Sequence, residues 1–280
     1  SFSAQPQKTA TRANPYEAYD PTRHPATMGT FGYYDMPKRY ASAANTIFNN
    51  ETATYNVATY GWDTATKKRW TEYTKASSFD FFAYMPYTGG ATLLRTANNT
   101  YTLSFPFAMS DGGNPVPVIY DTKAAPIICA VPSNKGAISD SNGGGTVSLK
   151  FDQTLTGYKL LFMLGTKMNA IRHFRIKGVK IYGKGLNDEG LATGGYVSRS
   201  YTWSNNEWTA KAIQWSNLNK VIITEENAIK LAKNSETPFT PGGNESMDID
   251  DSKYHRWGTT FYAIADASFV PTIAVTYDVI

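Results

Sequence analysis

The chain has a single cysteine, Cys129, in 280 residues. One thiol cannot close an internal disulfide. It lies in the apolar run Ala125-Pro-Ile-Ile-Cys-Ala-Val, where it reads as a small buried hydrophobe. Histidine is nearly as scarce. His24, His173 and His255 stand apart from one another and from the cysteine, without metal-ligand spacing, and read as structural or merely exposed. Neither a Gly-x-Ser-x-Gly elbow nor a Gly-x4-Gly-Lys-Ser/Thr phosphate loop occurs. The acidic group Asp248, Asp250 and Asp251 invites a calcium reading. An EF-hand loop needs glycine at its sixth position and glutamate at its twelfth; Lys253 and Thr259 stand there, so the group reads as a solvated acidic loop. Nothing singles out a pair of carboxylates for glycoside hydrolysis. The expectation is therefore no catalytic residue, no metal and no cofactor.

Charge of one sign is also lacking. The formal charge is +4 with a pI near 8.9. The densest basic cluster, Lys67-Lys68-Arg69, reads as a solvated loop, and no basic stripe exists to track phosphates, so no nucleic-acid partner is expected. No apolar run approaches the ~20 residues of a membrane helix. The opening SFSAQPQKTATRANPYEAYDPTR is polar, has no signal-peptide pattern and reads as the start of a mature fragment.

What the chain does have is aromatics and turn formers: Tyr 19, Phe 14, Trp 6, Gly 22 and Pro 14. With almost no apolar run at helical spacing, this composition predicts an all-β protein. The length predicts two domains. Residues 1–25, with prolines at 6, 15 and 21, read as a tether or a loosely held edge segment. Ser139 to Gly145 (SDSNGGG) reads as a linker, which places one domain over 26–144 and a second over 145–280.

Thr27 to Tyr34 reads as the first strand and Glu51 to Trp62 as an alternating one. In Ser78 to Met85, Phe79, Phe81, Ala83 and Met85 point one way and Phe82 and Tyr84 the other. That predicts a strand covered on both faces, ended by Pro86. Tyr101, Leu103, Phe105 and Phe107 share a face with a clean period of two. Phe174 and Ile176 point inward, and after Gly178 the phase shifts to Val179 and Ile181, which predicts a bulge. Asn205-Asn206 predicts a tight hairpin that sets Trp203 opposite Trp208.

A family emerges from the stretch Gly61 to Tyr87. The order Gly61-Trp62, then Trp70 after a polar run, then Asp80-Phe-Phe-Ala-Tyr-x-Pro86-Tyr87 resembles the fimbrillin-like superfamily. These are the type V pilins and pilus-associated lipoproteins of Gram-negative gut and oral anaerobes of the Bacteroides type. The strand Leu149-x-Phe151 and the later Ile176-x-Gly-Val-x-Ile-Tyr-Gly183 are similar too, although many relatives carry histidine where Gln153 stands. The resemblance implies two tandem transthyretin-like β-sandwich domains. It implies a lipid anchor upstream of this chain that holds it at the outer membrane. The implied partners are other fimbrial subunits, in a homo- or heteropolymer, and a host or bacterial surface receptor or glycan. It also implies a cut by a trypsin-like protease after an arginine near the N-terminus, with Arg12 first and Arg23 second. The first strand is then lost, and the next subunit's terminal strand fills the groove.

The end of the chain, PTIAVTYDVI, carries the matching feature. Ile273, Val275, Tyr277 and Val279 alternate with Thr272, Ala274, Thr276 and Asp278. Ten residues span about 33 Å, the length of a small sandwich. This strand either finishes its own domain or adds to a neighbour's sheet, where main-chain bonds give affinity and alternate side chains give register. Four buried apolar side chains at about 1.5–3 kcal/mol each give about 6–12 kcal/mol before entropy. That is comparable with a domain's net stability of about 5–15 kcal/mol. Two readings follow: a non-enzymatic fimbrial subunit or pilus-associated adhesin, or a surface glycan-binding lipoprotein that uses exposed tyrosine and tryptophan.

Overall fold

The structure, a computed structural model, describes residues 1–6, 24–39, 41, 43–73, 75–120, 125–136, 146–165, 167, 172–233, 246–249 and 253–280. The described chain is all-β apart from short helical turns such as Met36–Arg39. In chain order the strands are β1 (Phe2–Pro6), β2 (Thr27–Tyr34), β3 (Thr46–Asn56), β4 (Gly61–Thr64), β5 (Ser78–Met85), β6 (Thr92–Ala97) and β7 (Thr100–Ala108). Next come β8 (Ser110–Asp111), β9 (Asn114–Pro115), β10 (Ile127–Val131), β11 (Ser133–Gly136), β12 (Val147–Gln153), β13 (Thr156–Phe162) and β14 (Phe174–Tyr182). The last are β15 (Leu191–Ser204), β16 (Glu207–Ala210), β17 (Gln214–Val221), β18 (Ile229–Leu231), β19 (Met247–Ile249), β20 (His255–Ala263) and β21 (Thr272–Val279).

The strands gather into two compact units, each assembled from separated stretches. The first comprises Ser1–Phe107, Lys123–Thr154 and Tyr196–Ser216; the second comprises Ala108–Thr122, Leu155–Gly195 and Asn217–Ile280. This differs from a tandem split at residues 139–145. Those residues lie outside the described ones, but β11 before them and β12 after them both belong to the first unit. The reason is burial: Val147, Leu149 and Phe151 of β12 fill the first unit's core. Nor do residues 1–25 begin as a tether. Phe2–Pro6 is a strand, with Phe2 and Ala4 buried. Residues 7–23 lie outside the described residues.

The first unit is built on a sheet in the order β10-β12-β1-β4-β3-β2-β5-β11, and β10 pairs with β5 as well as with β12. Seven of its strands therefore form a closed ring, where a sandwich was expected. The two-faced strand β5 explains why. Phe79 and Phe81 meet the Trp70 indole at 5.0 and 5.9 Å between ring centroids on one side. On the other side Phe82 meets Tyr201 at 5.6 Å and Trp208 at 5.3 Å, and Tyr84 stacks on Phe105 at 4.4 Å. Those partners belong to a second sheet, β16-β15-β7-β6, which covers the ring. The expected hairpin is present: Asn205 and Asn206 both take positive φ, and Trp203 and Trp208 are cross-strand partners with ring centroids 5.3 Å apart. Glu51 to Trp62 is not one strand. The Asn56 side chain accepts the Ala58 N–H at 3.0 Å and starts a turn, which leaves Val57 and Tyr60 exposed.

Two buried groups of this unit make measurable predictions. Cys129 is fully buried, its Sγ 3.0 Å from Tyr201 Oη as a donor, and burial pushes its thiol pKa up to about 11. The thiolate is the reactive form. Ellman's reagent at pH 8 should therefore leave the native protein unlabelled and label one thiol in urea; labelling at equal rates would contradict the burial. Asp80, also fully buried, accepts hydrogen bonds on Oδ1 from Asn134 Nδ2 (2.7 Å) and Trp208 Nε1 (2.8 Å), while Oδ2 has no partner. Burial raises its pKa despite these two bonds. A carboxyl whose pKa is raised on folding contributes most below its unfolded value, and that contribution is lost as pH rises through the folded value. Asp80→Asn removes the buried charge but sets an Nδ2 where Oδ2 has no partner, so it should stabilise the protein at pH 7 only through the lost charge. The gain should shrink toward pH 4. Urea midpoints at both pH values decide; an equal gain at both removes the titration from the account.

The second unit has one core fed by two small sheets. β14 pairs with β18 and β19 along one edge and with β21 along the other, while β13 pairs with β20. Ile176, Val179 and Ile181 of β14 pack with Trp257, Phe261 and Ala263 of β20. The expected bulge is there: the β14–β21 register shifts between Ile176 and Gly178.

Candidate assembly site

Two strands concern the expected exchange. β1 is one of them. It lies between β12, with which it runs parallel, and β4, with which it is antiparallel. Its register on β12 sets Phe2 beside Val147, Ala4 beside Leu149 and Pro6 beside Phe151. Phe2 packs into the ring against Phe48 (5.8 Å) and Phe81 (6.0 Å). Ser3 Oγ donates to Ser148 Oγ at 3.1 Å on the opposite face. Gly61 is what lets β1 come this close to β4: a Cβ there would lie 2.8 Å from the Phe2 carbonyl oxygen. Trp62, the next residue, is wholly buried and is the cross-strand partner of Phe2. Phe2, Ala4 and Gly61 are not among the candidate residues of the sequence. The only signal for them was the Gly61-Trp62 pair in the family-like stretch.

β21 is the other strand. It pairs with β14 of its own chain, in the register Phe174–Val279, Ile176–Tyr277, Val179–Val275 and Ile181–Ile273. Cross-strand partners share a face, so the apolar row of β21 continues the inward row of β14. The row is nevertheless open at its far side: Ile273 is 41%, Tyr277 53% and Val279 54% exposed, while Val275 is partly buried against the core. The outer edge of β21 has no strand partner among the described residues. An ion pair between Lys177 and Asp278 at 3.2 Å is half exposed and contributes little. The four residues expected to form a donor strand thus stand together on an edge strand. Arg12 and Arg23 lie outside the described residues, so the cleavage position has no geometry here.

Other sequence candidates are dispersed. His24 and His255 are half-buried and His173 is exposed. His173 exchanges backbone hydrogen bonds with Ile280. Among the described residues no three His, Cys, Asp or Glu side chains are grouped to hold a metal ion. Asp248 is paired with Arg175, with Nε–Oδ1 at 2.7 Å, and that hydrogen bond lowers its pKa; Asp250 and Asp251 lie outside the described residues. None of the exposed large apolar side chains is a tryptophan; Trp62, Trp208 and Trp257 are buried and the others half-buried. No described helix is long and apolar enough to cross a membrane.

No family model matches the chain, and no curated protein matches it. Two solved structures align over nearly all of it. A fimbrial protein from Bacteroides vulgatus ATCC 8482 aligns with a TM-score of 0.42 at 15% identity, over 98% of this chain and 87% of that one. A protein described as a cell adhesion protein from Bacteroides uniformis ATCC 8492 aligns with a TM-score of 0.35 at 13% identity, over 99% and 95%. One is named fimbrial and the other adhesive. At these depths neither likeness carries a function across.

Proposed function

We propose that this chain is a non-enzymatic fimbrial subunit or pilus-associated surface adhesin that joins its neighbours by strand addition. In this reading proteolysis after Arg12 releases β1, and the vacated place between β12 and β4 accepts β21 from another copy. An upstream lipid anchor would hold the uncut chain at the cell surface.

The observation that carries the reading is the seat of β1. It is a five-residue strand inside a closed ring, and the segment that joins it to β2 contains both Arg12 and Arg23. Cutting there separates β1 from the rest of the chain, so only non-covalent contacts would retain it. β21 supports the same reading from the other side. It is an edge strand with a long apolar row that is incompletely covered in its own unit. The glycan reading rests on exposed tyrosines such as Tyr60 and Tyr254, since no tryptophan is among the exposed large side chains.

Tyr277 and Val279 allow a test that spares the monomer. Both are more than half exposed, and the Tyr277 ring meets Phe174 at 5.5 Å, so Tyr277→Asp and Val279→Asp should each cost the monomer about 1 kcal/mol. Placed in a neighbour's core, either carboxylate would be buried without a partner, which is prohibitive. The double variant should fold, be cut like the natural chain, and form no oligomers on a gel run without heating. Oligomers as abundant as those of the natural chain would sink the strand-addition reading.

A further inference from the structure

The loop Lys67-Lys68-Arg69 does more than meet solvent. Its three side chains, with Trp70 behind them, border a cavity of about 250 Å³ in the first unit. The inner wall is apolar and aromatic: Phe2, Phe48 and Phe81 are all buried there. Asp63 also lines it and is held by Asn56, whose Nδ2 donates to Oδ2 at 2.9 Å. Thr59 and Thr64 add hydroxyls.

We infer that this cavity is a binding site for a single acidic sugar ring, one that carries a carboxylate or a sulfate. Three features lead to that class. First, Lys67, Lys68 and Arg69 have no ion-pair partner among the described residues, so these three cations outnumber the one lining carboxylate, Asp63. A concave site rimmed by one sign of charge concentrates ligands of the other. Second, the aromatic wall suits the apolar face of a ring, and Asp63 with the threonines suits hydroxyls. Sites of this kind combine an apolar lining with a few placed polar groups. Third, the volume is slightly under the ~300 Å³ at which drug-sized pockets begin, so one small ring fits and a chain does not. A nucleic acid would need a continuing basic track, which the sequence does not supply. Because Phe2 forms part of the wall, the site belongs to the chain with β1 in place, and it does not depend on whether β1 is ever released.

The test is calorimetric titration of the uncut chain, at low salt, with D-glucuronate, glucose 6-sulfate and D-glucose. The variant is Lys67→Ala/Lys68→Ala/Arg69→Ala, whose changes fall on exposed side chains. At least one acidic sugar should bind with a Kd on the order of 1 mM, weakly enough to need high protein concentration. Which acid binds distinguishes carboxylate from sulfate. The triple variant should bind it at least about tenfold less tightly, and added salt should weaken binding to the natural chain. Quenching of tryptophan fluorescence by the same sugar, lost in the variant while the variant's melting temperature holds, would place the ligand beside Trp70. Absence of binding by both acids, binding of glucose as tight as theirs, or an unchanged affinity in the triple variant would each overturn the assignment.

Discussion

Cleavage after Arg12 is expected to convert the chain into a ladder of oligomers that survives detergent without heating. The driving force is local. With residues 1–12 gone, β12 and β4 each lose a strand neighbour, and Phe48, Phe81 and Trp62 lose the cover that Phe2 gave them. Removing a buried phenylalanine side chain costs about 3–5 kcal/mol on its own. An alternating strand from another copy restores both the ladder and the cover. Its four apolar side chains offer about 6–12 kcal/mol before ordering costs, enough for a joint that outlasts ordinary handling. An arginine-specific protease, followed by light scattering and an unheated gel, measures the conversion. Arg12→Ala with Arg23→Ala should leave β1 joined to the chain and abolish the ladder under the same treatment. If the cut chain loses β1 and stays monomeric, assembly by exchange at this groove is wrong.

Gly29→Ala should destabilise the first unit by about 3 kcal/mol or more, at the upper end for overpacking a core. Gly29 of β2 is the cross-strand partner of Tyr84 of β5, and Gly32 of Phe81. Each aromatic ring lies over the glycine opposite it. A Cβ at Gly29 would come within 2.2 Å of the Tyr84 ring. The ring has nowhere to go. Its hydroxyl lies 2.6 Å from Asn50 Oδ1 and accepts the Thr88 N–H at 3.1 Å, and its face is stacked on Phe105. Against a total of about 5–15 kcal/mol, such a loss is large. Gly136 provides the control, because a Cβ there meets nothing within 4 Å. Gly136→Ala should fall within about 0.5 kcal/mol of the natural protein. Urea midpoints for the two variants should therefore separate widely; matched midpoints would show that Tyr84 can yield.

Alternation along the chain made some of this fold legible and left the rest hidden. The two-faced strand Ser78–Met85, the Asn205-Asn206 hairpin and the bulge beside Gly178 are local, and each left its mark in consecutive residues. Closure of the ring left none. β1 pairs with β12 across about 145 positions, and a period of two says which side of a strand is buried but not what buries it. β1 itself, FSAQP, is too short to show a period. The glycine run at 143–145 had the composition of a linker, yet the strands flanking it lie in one unit, because composition reports flexibility and not partnership. For the glycines of β2, the sequence shows where side chains are missing and not which ring occupies the space. The apolar row of β21 was legible as a strand, whereas its exposure on an edge depended on what the second unit leaves uncovered.

A ring of strands has no loose hem. Each of β10, β12, β1, β4, β3, β2 and β5 already has a neighbour on both sides, so none of them offers an unbonded backbone to a passing chain. Under the strand-addition proposal, the first unit is latent while β1 stays seated. If copies join by strand addition, the chain would not polymerise through this unit while β1 is seated, and growth would wait on the release of β1 rather than on concentration.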